Sequence, residues 1–154
     1  MQPNAGGIVY GTIVVATLLA AESAQNETYG KTIGAVVLAM LTYWLAVSYA
    51  HYSGERIERQ ERFEYEGLGR TALSEVTMLI GAVPELLAVL VVWALGDSLA
   101  LAIRVGVIVA AVTIVVTELV TGIRADLRGR ELVRQTLIGA VFGVLIIVLR
   151  LLLH

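Results

Sequence analysis

Five long apolar runs, separated by short polar links, make up most of the chain. The runs cover residues 7–24, 31–52, 73–95, 98–122 and 134–153. A bilayer core is about 30 Å thick and is crossed by roughly 20 apolar residues in a helix. The run from Leu99 to Val116 lacks the polar face that a helix of a soluble bundle would show. The pattern predicts an all-α, polytopic membrane helical bundle with about five transmembrane helices, in a single transmembrane domain covering residues 1–154.

The arginines of the links predict the orientation of the bundle. Arg56, Arg59, Arg62 and Arg70 lie in the link at 52–71, and Arg124, Arg128, Arg130 and Arg134 lie in the link at 123–134. The links at 22–30 and 96–98 hold neither arginine nor lysine. Because arginine-bearing links stay in the cytoplasm, we expect a multi-pass protein of the cell membrane with a cytoplasmic N-terminus and an extracytoplasmic C-terminus.

The segment GERIERQERFEYEG, residues 54–67, predicts a charged helical extension of the second span into the cytoplasm. Its pairs Glu55/Arg59 and Glu58/Arg62 have the favourable spacing of four residues. The alternative is a docking arm for a neighbouring subunit. We expect Gly67-Leu-Gly69 to end this helix before the third span.

Composition excludes several classes of function. The chain is 58% hydrophobic and only 16% charged, with a mean hydropathy of +0.82 and a net charge of −2. It has no basic face with interleaved aromatic residues, so nucleic acid is not an expected partner. It has no cysteine, which excludes disulfides, thiolate metal sites and cysteine nucleophiles. We expect no cofactor.

Small residues recur at four-residue spacing, which is typical of helices that approach closely in lipid. The pairs are Gly7/Gly11, Gly30/Gly34 and Gly139/Gly143, and the fourth run offers Ala102, Gly106 and Ala110. Most such contacts join helices of one chain. Five short spans enclose little space, however, so we also expect a homo-oligomer.

Four ionisable residues inside the runs are the candidates for a transport path: Glu75, Glu85, Arg104 and Glu118. Charges at membrane depth usually face protein or water. Arg104 and Glu118 fall within about 40° of each other around their helix. Pro84 lacks a backbone donor and clashes with the carbonyl of Ile80, so we expect a kink beside Glu85.

Each of these residues also has a structural interpretation. Glu85 is a neutral acid bonded to a neighbouring helix in that case, and Arg104 reaches the outer headgroups or pairs with Glu85 or Asp97. Glu75 and Glu118 then lie at the inner interface.

His51 and Glu55 form a possible proton or metal pair, because they lie four residues apart at the end of the second span. Two ligands leave a metal site incomplete. A histidine among interfacial aromatic residues is the commoner situation, and no metal is expected.

The runs YGTI, residues 10–13, and YWLAVSYAHYSGE, residues 43–55, resemble a group of small, largely uncharacterised bacterial membrane proteins typical of actinobacteria. The apolar C-terminal run ending in His154 is similar as well. The resemblance implies a plasma-membrane protein of several helices and implies no activity.

The residues indicate two functions. One is an oligomeric ion channel or transporter for protons or a small cation, with Glu85 and Glu118 lining the path. The other is a non-catalytic accessory or assembly subunit whose buried charges pair with partner helices. We expect no enzyme, because no nucleophile with a base or metal set lies at membrane depth.

Overall fold

The computed structural model describes residues 5–21 and 28–153, and every regular element in these residues is an α-helix. The helices are α1 (Ala5–Ala21), α2 (Tyr29–Arg59), α3 (Tyr65–Ser74), α4 (Val76–Gly81), α5 (Val83–Ala94), α6 (Leu99–Arg124) and α7 (Arg130–Leu153). The all-α class is confirmed. The predicted end of the first span, most of the first link and His154 lie outside the described residues.

Three of these helices, α2, α6 and α7, are long and apolar enough to cross a membrane. A fourth candidate is the bent segment from α3 to α5 taken as one span, and α1 is apolar but only 17 residues long. α2 extends for about 46 Å at a rise of 1.5 Å per residue, more than a hydrocarbon core of about 30 Å. These lengths are consistent with a location in the membrane.

Contacts at the two ends of the bundle show that consecutive segments alternate in direction. At one end the Tyr29 hydroxyl donates to the backbone oxygen of Asp97 (2.8 Å), and Arg150 donates to that of Ala20 (3.1 Å). At the other end His51 contacts Glu75, and Gln135 contacts Glu118. The two arginine-bearing links therefore lie at the same end.

The short link at 96–98 joins α5 and α6 as antiparallel neighbours, as expected. Gly96 turns the chain with a φ of +77°, which glycine adopts without strain. The Ser98 hydroxyl then accepts a hydrogen bond from the Leu101 amide and caps the N-terminus of α6.

α1 is the central helix of the bundle. It contacts α2, α4, α5, α6 and α7. Its buried residues recur every three or four positions, at Gly7, Gly11, Thr12, Val15, Ala16, Leu19 and Ala20. They pack against buried residues of α5 and α6 such as Val89, Ile103 and Ile114. A helix of small and apolar residues therefore fills the middle of the fold.

Glycines allow α1 and α4 to touch backbone to backbone. A Cβ added to Gly11 would collide with the carbonyl oxygen of Met78, and one added to Gly81 would collide with that of Ile8. Gly143 allows a similar approach of α7 to the backbone of Ala111 in α6, and Gly139 makes room for the Glu118 side chain. Gly30 and Gly34 of α2, in contrast, have nothing within 4 Å of an added Cβ. The homo-oligomer stays a prediction.

The extension of α2 continues to Arg59, but the expected helix end at Gly67-Leu-Gly69 is wrong. α2 ends at Gln60 in the left-handed region, with a φ of +54°, and both glycines lie inside α3. The cause is an aromatic contact: Phe63 packs edge-on against Tyr52, with ring centroids 5.4 Å apart. The Tyr52 hydroxyl also accepts a hydrogen bond from the Glu64 amide, and this bond fixes the turn between α2 and α3.

We expect Gly11→Ala to lower the free energy of unfolding in detergent by about 1–3 kcal/mol, because the new methyl group meets backbone that has no room to move. Gly34→Ala is the matched control. It adds a methyl group in open space and should be neutral or slightly stabilising. Unfolding by SDS titration measures both, and equal losses would contradict the backbone contact.

Candidate functional site

The candidate site lies where the third predicted span is interrupted. α4 ends at Gly81 and α5 begins at Val83, and the segment from α3 through α4 is bent by 41° relative to α5. Pro84 lies in the first turn of α5, where its missing amide hydrogen leaves no helical bond unmade. The break is thus at Ala82, two residues before Pro84.

Thr12 of α1 satisfies a backbone carbonyl at the break. Its buried hydroxyl donates to the backbone oxygen of Gly81 at 2.9 Å. A carbonyl freed inside a membrane needs such a partner, because lipid offers no hydrogen bond. The close approach of α1 at Gly11 brings the Thr12 hydroxyl within reach.

Glu85 lies in the first turn of α5 and is fully buried, with an exposed fraction of 0%. Thr12 lies beside its carboxyl group. Within the described part of the chain, neither carboxyl oxygen has a hydrogen-bond partner. An isolated ionised carboxylate is costly to bury, so this position suits a carboxylic acid rather than a fixed negative charge.

Glu75 forms a second polar site, toward the end of the bundle with the arginine-bearing links. Its Oε1 lies 2.8 Å from Nδ1 of His51. The hydrogen bond of His51 thus goes to Glu75, the residue that precedes α4, rather than to Glu55. Both residues line a cavity of about 360 Å³, together with Gly6, Gly7, Tyr10, Val47 and Met78. The Glu75 side chain is 13% exposed and that of His51 is 61% exposed, so the cavity joins buried structure to the surface.

Thr77 lies between these two sites along α1 and α4. Its hydroxyl is buried against Gly7, which also borders the cavity of His51 and Glu75. Further along the same contact come Thr12 and then Glu85. Polar side chains therefore follow the α1–α4 contact from the cavity to the break. We call this row of Glu75, Thr77, Thr12 and Glu85 the polar seam.

Glu118 lies apart from the polar seam, on the side of α6 that faces α7. Nε2 of Gln135 donates to its carboxylate at 2.9 Å, and Gly139 packs against its side chain. The group acts as a hydrogen-bond acceptor between two helices.

Arg104 also faces α7, where it lines a cavity with Arg150. Across residues 5–21 and 28–153, the ion pairs are His51–Glu75 and Arg128–Asp126. Arg104 therefore forms no ion pair with Glu85 or Asp97, and the four charged candidates are not one site.

Four polar residues of these sites were not predicted: Thr12, Thr77, Gln135 and Arg150. Thr12 follows Gly11 directly, so a polar residue beside a small-residue pair was its available signal. The described residues hold no group of three or more histidine, cysteine, aspartate or glutamate side chains that fits a metal ion. His51 and Glu75 alone make an incomplete ligand set.

Comparisons with protein-family models, with curated proteins and with solved structures gave no match.

Thr12→Val keeps the shape of the side chain but removes the donor to Gly81, and we expect it to lower the free energy of unfolding by about 1–2 kcal/mol. Thr17→Val is the control on the same helix, because the exposed Thr17 hydroxyl donates to Ile13 within α1 itself. SDS titration of both variants measures the difference. A loss no larger for Thr12→Val than for Thr17→Val would contradict the role of Thr12 at the break.

Proposed function

We propose that the chain is a five-span membrane protein that conducts or transports protons, with Glu85 as the proton-binding group. The observation that carries the proposal is a fully buried carboxyl group at a helix break, without a hydrogen-bond partner in the described structure. Ionisable residues at membrane depth commonly mark ion paths and proton relays. A proton needs one acceptor, whereas a metal cation needs several oxygen ligands. Protons are therefore favoured over other small cations.

The alternating direction of consecutive segments supports the five-span arrangement. α2, α6 and α7 have the required length, and α3 to α5 form one bent pass. α1 covers about 25 Å at 1.5 Å per residue, and neighbouring helices surround it, so its short length exposes little backbone to lipid. Because both arginine-bearing links lie at one end, that end is proposed to be cytoplasmic.

The polar seam supplies the cytoplasmic half of the proposed path. Protons would enter at the cavity of His51 and Glu75 and reach Glu85 past the hydroxyls of Thr77 and Thr12. Beyond Glu85 the core is apolar, with Leu19, Val89 and Ile103 all at 0% exposure. These side chains act as a closed gate, so conduction requires a movement there. The bend at Ala82 is the natural hinge for such a movement.

An accessory subunit is the second candidate function. Only 17% of the apolar window of α2, and 17% of that of α7, is buried within the chain. The open faces at Gly30 and Gly34 would then receive helices of a partner or of a second copy. In this role Glu85 is a neutral structural acid and no ion crosses the protein.

Proton flux into liposomes separates the two functions. Vesicles with a trapped pH-sensitive dye and a valinomycin-clamped potential would receive wild type, Glu85→Gln or Glu118→Gln. We expect Glu85→Gln to reduce the flux to that of empty liposomes, because an amide does not exchange the proton. Glu118→Gln should keep most of the flux, since Glu118 lies in the contact between α6 and α7.

Potassium, sodium and chloride are tested in separate vesicles. Absence of proton flux from folded wild-type protein would refute transport and favour the accessory subunit. Loss of flux in Glu118→Gln, with normal flux in Glu85→Gln, would move the path to the contact between α6 and α7.

A further inference from the structure

Two arginines from different helices meet at the end of the bundle opposite the arginine-bearing links. Arg104 lies in the second turn of α6 and Arg150 near the end of α7. Both line one open cavity of about 400 Å³, and its other lining residues are Val107, Ile108, Ile147 and Leu151. The cavity thus combines two positive charges with an apolar wall.

The two guanidinium groups interact unfavourably, because like charges in one cavity repel each other. Within the described ranges, Arg104 has no carboxylate within 4.0 Å, and the ion pairs there are His51–Glu75 and Arg128–Asp126. Arg150 is held in position by its hydrogen bond to the backbone oxygen of Ala20. Each guanidinium group carries five N–H donors, so it can hold more than one acceptor at a time. Its planar fork also suits phosphate geometry particularly well.

An apolar groove continues from this cavity between α6 and α7. A second cavity of about 320 Å³ shares Ile108 and Ile147 with the first and extends to Val116 and Ala140. The distance from Arg104 to Val116 along α6 is about 18 Å at 1.5 Å per residue. Half of a hydrocarbon core is about 15 Å thick. The groove is therefore long enough for one acyl chain within one leaflet.

We propose that the groove between α6 and α7 binds an anionic phospholipid, with its phosphate between Arg104 and Arg150 and one acyl chain against Ile108 and Ile147. A free phosphate ion would use the arginines but leave the apolar groove without a role. A second copy of the chain would have to bring an acidic group to the arginines. The lipid matches the charged and the apolar part together, and the site is separate from Glu85.

Native mass spectrometry of the full chain, released from detergent with equal amounts of phosphatidylglycerol and phosphatidylcholine, tests the proposal. We expect wild type to retain phosphatidylglycerol in preference to phosphatidylcholine. The double variant Arg104→Gln/Arg150→Gln should reduce this preference roughly thirtyfold, the size expected for two arginine–lipid contacts of about 1 kcal/mol each. Arg124→Gln/Arg128→Gln removes the same charge at the opposite end and should leave the preference unchanged.

Two further variants keep the test independent of folding. Arg104→Lys/Arg150→Lys preserves the charge and should keep most of the preference. Val144→Trp fills the groove from an exposed position while leaving the arginines in place, and should reduce lipid retention. Unchanged retention in the glutamine double variant, or an equal loss in the control at the opposite end, would overturn the proposal.

Inorganic phosphate and a second copy of the chain are the remaining outcomes. Thermal protection by millimolar inorganic phosphate that equals protection by phosphatidylglycerol would identify an anion site without a lipid. A dimer that the glutamine double variant dissociates would identify an interface between copies. Either result would overturn the proposal that the groove binds a phospholipid.

Discussion

The close approach of two backbones at Gly11 and Gly81, where α1 crosses α4, is the constraint on which the rest of the structure depends. Gly11 and Gly81 let the two backbones touch, and a single methyl group at either position would collide with a carbonyl oxygen. Lipid gives helices little hydrophobic drive to associate, so close packing and hydrogen bonds must hold them together. This contact places α1 in the middle of the bundle. It also brings Thr12 to the broken end of α4 and leaves Glu85 enclosed beside it.

The amino-acid sequence predicted the all-α class, the antiparallel pair formed by α5 and α6, and the placement of both arginine-bearing links at one end of the bundle. These features follow from the apolar pattern and from the positions of the arginines. The five membrane spans stay a prediction. The end of α2 did not follow. A glycine inside a helix costs only about 1 kcal/mol, so α3 can include both glycines. The contact of Tyr52 with Phe63 places the turn earlier. Such a contact joins two elements and has no periodic signal.

The candidate site was only partly predictable for a similar reason. A carboxyl group in an apolar run is conspicuous, so Glu85 was found. Helical geometry also placed Arg104 and Glu118 on one face of α6. The geometry of one helix does not say which neighbouring helix covers that face. The neighbour is α7, which brings Arg150 and Gln135. The partners of Arg104 and Glu118 depend on how the helices pack around α1, and the periodicity of a single helix holds no information about that packing.

The central position of α1 also constrains how the protein is made. α1 leaves the ribosome before all the other helices, yet α4, α6 and α7 complete its surroundings. Until they have been synthesised, the Thr12 hydroxyl and the glycine face of α1 lack the neighbours that cover them in the folded protein. Arg150 reaches back 130 residues to Ala20, so one of the contacts that hold α1 forms only after nearly the whole described chain has been synthesised. A nascent chain that stops before α6 therefore leaves the central helix of the fold only partly covered.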